Sequence, residues 1–342
     1  MAIKVTYGPW GETLGEMLDA GQAAEAAGAE VLWVPELHRS ATVQAAALAA
    51  VTSKVQIGTA IALAFTRSPM VTALEALDLD EMSKGRFILG LGTGVQRLNE
   101  LWHNARWGKP AAHLLETVRN IREFVANSHT GEKIALAGDF EPMQITGYQR
   151  PFTPLRTEIP IYLAAMGPVM TRLAGEIGDG WISHELCSPR YLAEQLVPWL
   201  DEGRAKAESP TKKFDVVVSA LCAVDPDGAK ARRWAAGTVG FYASVKSYEA
   251  FFDWHGFLAG QGAVVKAFRG GTGADYLGEY VSDAMVDGLT LAGTPDQVRN
   301  KLTAYDGLAT TIKLTPPTHG ISAADTRKCQ TEILKLISDV SG

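Results

Sequence analysis

The chain has 342 residues, 46% of them apolar and 20% charged, enough for one large core or two ordinary ones, which excludes intrinsic disorder. Its 32 Lys and Arg against 38 Asp and Glu leave a net charge of −6 with no long basic run, so nothing marks a nucleic-acid surface. No apolar stretch reaches the roughly 18 residues of a membrane-spanning helix, and the opening MAIKVTYGPWGE lacks the basic-then-apolar order of a secretory signal. Cys187, Cys222 and Cys329 lie far apart without a C-x-x-C pair, which disfavours a disulfide framework and structural zinc. A cytoplasmic protein without nucleic-acid, membrane or metal partners is expected.

The chain opens with a strand over Ile3–Gly8, followed by a helix over Glu12–Ala27 with Leu14, Leu18, Gly21 and Ala24 on one face. Further strands are predicted at Val31–Val34, Val55–Ile61, Phe87–Leu91, Ile159–Ala164, Gly180–Ser183, Phe214–Val224 and Thr311–Leu314, each followed by a stretch of helical period. Helices are expected to open at Ser68-Pro69, Gly167-Pro168, Ser188-Pro189 and Thr294-Pro295, because proline at the first helical position has a suitable fixed φ and lacks only an N–H that would go unpaired anyway. Thr294 to Gln297 also reads as a capping box.

Strand and helix alternating along the whole chain imply a parallel sheet, since parallel neighbours need a crossover connection. Eight such units predict an α/β fold, a (β/α)8 TIM barrel, as a single domain over residues 1–342; an open doubly wound sheet is disfavoured because no G-x-G-x-x-G follows the first strand. Two segments exceed a plain barrel. One, at about 128–158, follows the fourth strand and contains a small hairpin around Gly138-Asp139; the other, at about 235–292, lies between the seventh and eighth strands and is rich in glycine and aromatics.

Barrel enzymes carry their chemistry on the loops after the strands, which nominates Glu36 and His38, Thr66 and Arg67, Gly92 to Asn99, Met166 and Gly167, His184 and Glu185, and His319. No His pair has zinc-site spacing, and no nucleophile elbow or P-loop is present. Gly90-Leu91-Gly92-Thr93-Gly94 ends a strand in glycines that let backbone approach a flat ligand, or simply make a tight turn. Ala164-Ala165-Met166-Gly167-Pro168 ends another in small residues and then opens a helix, which suits a phosphate or an ordinary strand-to-helix turn.

The runs Val55–Ile61 with Thr66–Pro69, Gly85–Gly94, Tyr162–Pro168, Ala174–Gly180 and Ala292–Val298 together resemble the luciferase-like flavin and deazaflavin oxidoreductases. The resemblance spans most of the chain and is strongest to the coenzyme F420-dependent branch, which includes methylenetetrahydromethanopterin reductase and glucose-6-phosphate dehydrogenase. It implies hydride transfer between F420 and a small organic substrate, with FMN-dependent monooxygenation or non-catalytic flavin binding as the alternatives. A homodimer is expected.

By that resemblance, a non-prolyl cis peptide joins Ala60 to Ile61 behind the cofactor ring, Gly92, Thr93 and Gly94 lie near the ring and ribityl chain, Ala165 also touches the cofactor, and Gly167, Pro168, Val169 and Met170 match the phosphate-binding helix start. Glu36 stands where relatives carry the Asp of an Asp-His pair; here the sequence reads Glu36-Leu37-His38, and Val95 replaces the glutamate expected in the sugar-phosphate dehydrogenases. Glucose 6-phosphate is therefore not the expected substrate. Glu36 and His38 are the catalytic candidates, against an ion pair of Glu36 with Arg39 or Arg67 and a loop-capping role for His38. Trp10, Phe65, Trp102 and Trp107 are candidates for an apolar wall. Arg97 or Lys109 are candidates for the acidic tail of F420, and the segment at 235–292 is expected to set the substrate.

Overall fold

The computed structural model describes residues 3–341; Met1, Ala2 and Gly342, included in the expected 1–342 domain, lie outside the described residues. Twelve strands occur among the described residues: β1 Lys4–Tyr7, β2 Val31–Val34, β3 Gln56–Thr59, β4 Ala62–Leu63, β5 Phe87–Gly92, β6 Ile134–Leu136, β7 Met143–Ile145, β8 Ile161–Ala164, β9 Gly180–Ile182, β10 Asp215–Val224, β11 Leu291–Gly293 and β12 Thr311–Thr315. Eight of them, β1, β2, β3, β5, β8, β9, β10 and β12, run in that circular order as a closed (β/α)8 barrel. Two segments stand outside the eight barrel strands and their connecting helices. The first is the antiparallel hairpin β6–β7, and the second is largely helical, with helices Glu249–Trp254, Leu258–Arg269 and Asp283–Leu289 before β11.

Two compact units make up the chain, one from residues 31–182 and 196–216, the other from residues 1–30, 183–195 and 217–342. In the first, the central unit, β2 and β5 are buried along their whole length, as parallel strands covered on both faces must be. The expected strand Val55–Ile61 is broken: β3 stops at Thr59, the Ala60–Ile61 peptide is cis, and the chain resumes as β4 beside β5. Helices Ala41–Val51 and Pro69–Met82 start where Ser40 and Ser68 accept the N–H of Val43 and Val71. The β6–β7 hairpin is tied to helix Pro110–Asn127 by the Glu116 carboxylate, which accepts the N–H groups of Asp139, Phe140 and Glu141 at 3.0, 2.9 and 2.9 Å.

In the second, the terminal unit, β12 pairs in parallel with β1 and β10, and β11 adds to the far edge of β10. The expected capping box forms at Thr294 and Gln297, opening helix Pro295–Leu302. The aromatic insertion is fastened to the chain after β9: the Ser188 hydroxyl and His255 Nε2 lie 2.8 Å apart, and His255 Nδ1 lies 2.7 Å from the Phe251 carbonyl oxygen. All three cysteines are buried and free.

Candidate active site

Within the central unit, the segments nominated from sequence converge. Gly92, at the end of β5, lies so close to its neighbours that a Cβ there would sit 3.0 Å from Ile61 Cγ1 and 3.4 Å from the Ala164 Cβ. The ends of β5 and β8 and the cis segment therefore meet at one point, where a side chain would crowd its neighbours and glycine leaves room. Gly94 follows with φ +64, a left-handed turn that redirects the chain into Val95 and the short π-helical segment Leu98–Trp102. Asn99, fully buried, holds this turn by donating to the carbonyls of Thr93 and Val95 at 2.7 and 3.1 Å.

At the end of β8, Ala165 receives the Trp181 indole N–H on its carbonyl at 3.0 Å, and helix Pro168–Ile177 begins. Its N-cap is Gly167, which has no side chain to cap the helix and whose Cβ position faces open space. Pro168 has no N–H to offer, so the N–H groups of Val169 and Met170 are the uncapped donors of this turn, and the helix dipole adds partial positive charge there. Gly167, Pro168 and Val169 are exposed. The donor set matches a phosphate, and the glycine turn beside it matches a flat ring, so the residues present fit a phosphate-bearing flavin or deazaflavin.

Glu36 follows β2 and is held by several partners. Arg67 grips it with both terminal nitrogens, Nη1 donating to Oε2 at 2.9 Å and Nη2 to Oε1, and the Leu63 N–H donates to Oε2 at 2.8 Å. Its own N–H donates to the Ile61 carbonyl at 3.1 Å. Burial alone would raise the Glu36 carboxyl, but the Arg67 and Leu63 hydrogen bonds outweigh it and hold the pKa below the ordinary carboxylate value. Glu75, 3.5 Å from Arg67 Nε, is shifted the other way, raised by burial despite the guanidinium. The ion pair with Arg67 is thus present, and Glu36 is a charged hydrogen-bond acceptor that ties the end of β2 to the segment 60–63. His38 is exposed.

The expected aromatic wall divides. Phe65 stacks on His113 with centroids 3.8 Å apart and meets the edge of Trp107 at 5.8 Å, whereas Trp102 is 68% exposed, and Trp10 belongs to the terminal unit, where its backbone N–H donates to Gln330 Oε1. His113 itself, buried and paired with Glu141 at 2.7 Å, escaped the sequence reading because its partners come from two other segments. His319 stacks on Phe241 at 4.0 Å.

In the terminal unit, His184 and Glu185 gather around a residue the sequence reading passed over, Lys313 in the middle of β12. The signal was a lone cation inside an apolar strand, Thr-Ile-Lys-Leu-Thr. Its ammonium is 3.8 Å from Glu185 Oε1, and burial lowers its pKa despite that carboxylate. Burial, with a smaller contribution from Lys313, also lowers the His184 pKa to about 4, so the ring is neutral at physiological pH. Among the described residues, no group of three or more His, Cys, Asp or Glu is arranged to hold a metal ion, and no helix is long and apolar enough to cross a membrane.

Fold and motifs together define the class: the chain belongs to the luciferase-like monooxygenase family, whose pattern matches residues 2–311. A 5,10-methylenetetrahydromethanopterin reductase of Methanolobus tindarius is 30% identical over 282 residues, covering 82% of this chain and 83% of the reductase. The coenzyme F420-dependent tetrahydromethanopterin reductase of Methanopyrus kandleri has the same fold, with a TM-score of 0.81 at 22% identity over 96% of this chain and 98% of that one. An F420-dependent secondary alcohol dehydrogenase, solved with an F420-acetone adduct, matches with a TM-score of 0.73 at 19% identity over 98% of this chain and 99% of the other. The chain is an oxidoreductase.

Proposed function

We propose that the protein is a coenzyme F420-dependent oxidoreductase that transfers hydride between the deazaflavin and a small organic substrate. The reading is carried by the convergence of Gly92 on Ile61 and Ala164, continuous through Ala165 with a helix start whose first N–H groups are uncapped. F420-dependent relatives support the choice of coenzyme.

When bound, F420 supplies two-electron chemistry at a ring carbon and little reactivity with oxygen. This chain's residues bind and orient it. Gly92, Thr93 and Gly94 leave backbone without bulk against which a flat ring can lie, and Ala60 and Ile61 back that surface. Gly167, Pro168, Val169 and Met170 offer the helix start to a phosphate. Glu36, locked by Arg67 and Leu63, fixes the segment 60–63 rather than moving a proton. This reading keeps the expectation of a homodimer. The same reading takes the protein as a cytoplasmic enzyme with a small-molecule substrate.

A titration of F420 against FMN, followed by tryptophan quenching, tests the reading. F420 is expected to bind with a Kd on the order of micromolar or tighter and FMN much more weakly. Equal or reversed affinities move the protein to the FMN-dependent monooxygenases, and tight F420 binding with no turnover on any alcohol, carbonyl or imine makes it a binder.

A further inference from the structure

On β12, Lys313 and Thr315 point to the same face, as residues two apart on a strand do. Gly8, beyond the end of β1, makes room for both: a Cβ there would lie 3.3 Å from Lys313 Cε and 3.3 Å from Thr315 Oγ1. After β9 the chain crosses β10, where the Leu221 N–H donates to the Glu185 carbonyl at 2.9 Å, and this brings His184 and Glu185 to the same place. Glu185 Oε2 accepts the Tyr242 hydroxyl at 3.1 Å. The rings of Tyr242 and Tyr248 lie 4.3 and 4.7 Å from that of His184.

The hydrogen-bond accounting does not close. His184 Nδ1 accepts the Leu186 N–H at 3.2 Å, so in the neutral ring the proton is on Nε2, and that N–H is covered and without an acceptor. The buried Thr315 hydroxyl also has no partner. The Lys313 ammonium carries three N–H groups, and its carboxylate partner stands at 3.8 Å, too long for a good hydrogen bond. Each unpaired buried polar group costs on the order of 1–3 kcal/mol, and an ion pair this deep is typically no more stable than a well-packed apolar substitute. Packing alone therefore does not account for the cluster, and its surplus is mainly of donors, the Thr315 hydroxyl being able to donate or accept. His184, Glu185 and Tyr248 are only half-buried, so the cluster borders solvent on that side although its unpaired donors lie beneath the surface.

We infer that Lys313, Thr315, His184 and Tyr248 form a binding site for the oxygen of an uncharged carbonyl or alcohol, with Glu185 balancing the lysine's charge. A ligand oxygen accepts from the unpaired donors, whereas a carboxylate would face Glu185. Resting on the proposed function, this makes the substrate a small ketone, aldehyde or alcohol.

The test uses the full-length protein and three probes of one shape, cyclohexanone, cyclohexanol and cyclohexanecarboxylate, with the His184 ring resonances as the reporter. Cyclohexanone and cyclohexanol should shift the Nε2–H signal in a saturable way and bind at least about tenfold more tightly than the carboxylate. Thr315→Val removes a hydroxyl that has no partner and Tyr248→Phe removes one at the half-buried rim of the cluster, so both should leave thermal stability nearly unchanged while weakening both uncharged probes; Lys313→Met should weaken them most. No shift at His184 with the probes at their solubility limits, tighter binding of the carboxylate, or unaltered affinity in the folded Thr315→Val and Tyr248→Phe variants would overturn the site. F420 binding is measured separately. Probe binding without F420 binding leaves the site standing and removes the proposed function, while F420 binding and turnover with no probe at His184 does the reverse.

Discussion

Replacing Glu36 with glutamine keeps the shape of the side chain but removes the charge gripped by Arg67, and it turns an N–H donor toward the guanidinium. Hydrogen bonds to charged groups contribute about 1.5–3 kcal/mol, and removing one partner of a buried pair costs about 3–5 kcal/mol. The Glu36 side chain is only 9% exposed, which argues for the upper end, but Arg67 is 21% exposed and keeps Glu75 at 3.5 Å, which argues for less. A loss of about 2–3 kcal/mol is expected, or about 3–4 °C in Tm for a chain of this size. The pH dependence separates this from a packing defect. Because the folded pKa of Glu36 is depressed, its contribution is fully present above the unfolded carboxylate value and is lost as pH falls through the folded one, so wild type and variant should converge in acid. Urea melts at pH 7 and at successively lower pH measure the gap. Wild-type stability at pH 7, or a gap that does not change with pH, refutes the positioning role. So does a variant of unchanged Tm that loses turnover together with one limb of its pH profile, since that result would give Glu36 the proton after all.

Gly167→Asp should weaken F420 binding by well over tenfold, because a carboxylate at the uncapped helix start repels a phosphate; unchanged affinity in a folded variant would put the phosphate elsewhere. The His184 ring should stay neutral from pH 8 to about 5 by NMR, because its pKa is lowered to about 4. Since the unfolded chain takes up that proton near pH 6.5 and the folded one does not, His184 should make stability fall as pH drops from about 6.5 toward 4, a slope that His184→Gln should reduce. Gly90→Ala should cost more than about 4 kcal/mol or prevent folding, as the new Cβ would lie 1.8 Å from the Thr59 carbonyl oxygen; a stable, soluble Gly90→Ala protein would show that β3 and β5 can separate there.

The order of strands and helices was legible in the sequence because it rests on local signals: apolar runs of strand length, helical periodicity, and the Ser-Pro, Gly-Pro and Thr-Pro starts at residues 68, 167, 188 and 294, all of which open helices. So did the glycine turn at 92–94 and the bare helix start at Gly167, since glycine and proline act through their own backbone geometry. Tertiary structure decided which charges meet. Sequence could offer Arg39 and Arg67 equally as partners of Glu36, and only the close approach of the β2 and β4 ends selects Arg67. The break between β3 and β4, which the apolar run Val55–Ile61 concealed, depends on β4 pairing with β5. Lys313 is the clearest case. Periodicity places it on a strand, but its meaning as a buried cation comes from Gly8, His184, Glu185 and Tyr242, brought around it by three other segments of the chain, because burial and pairing are properties of the surroundings and not of the residue.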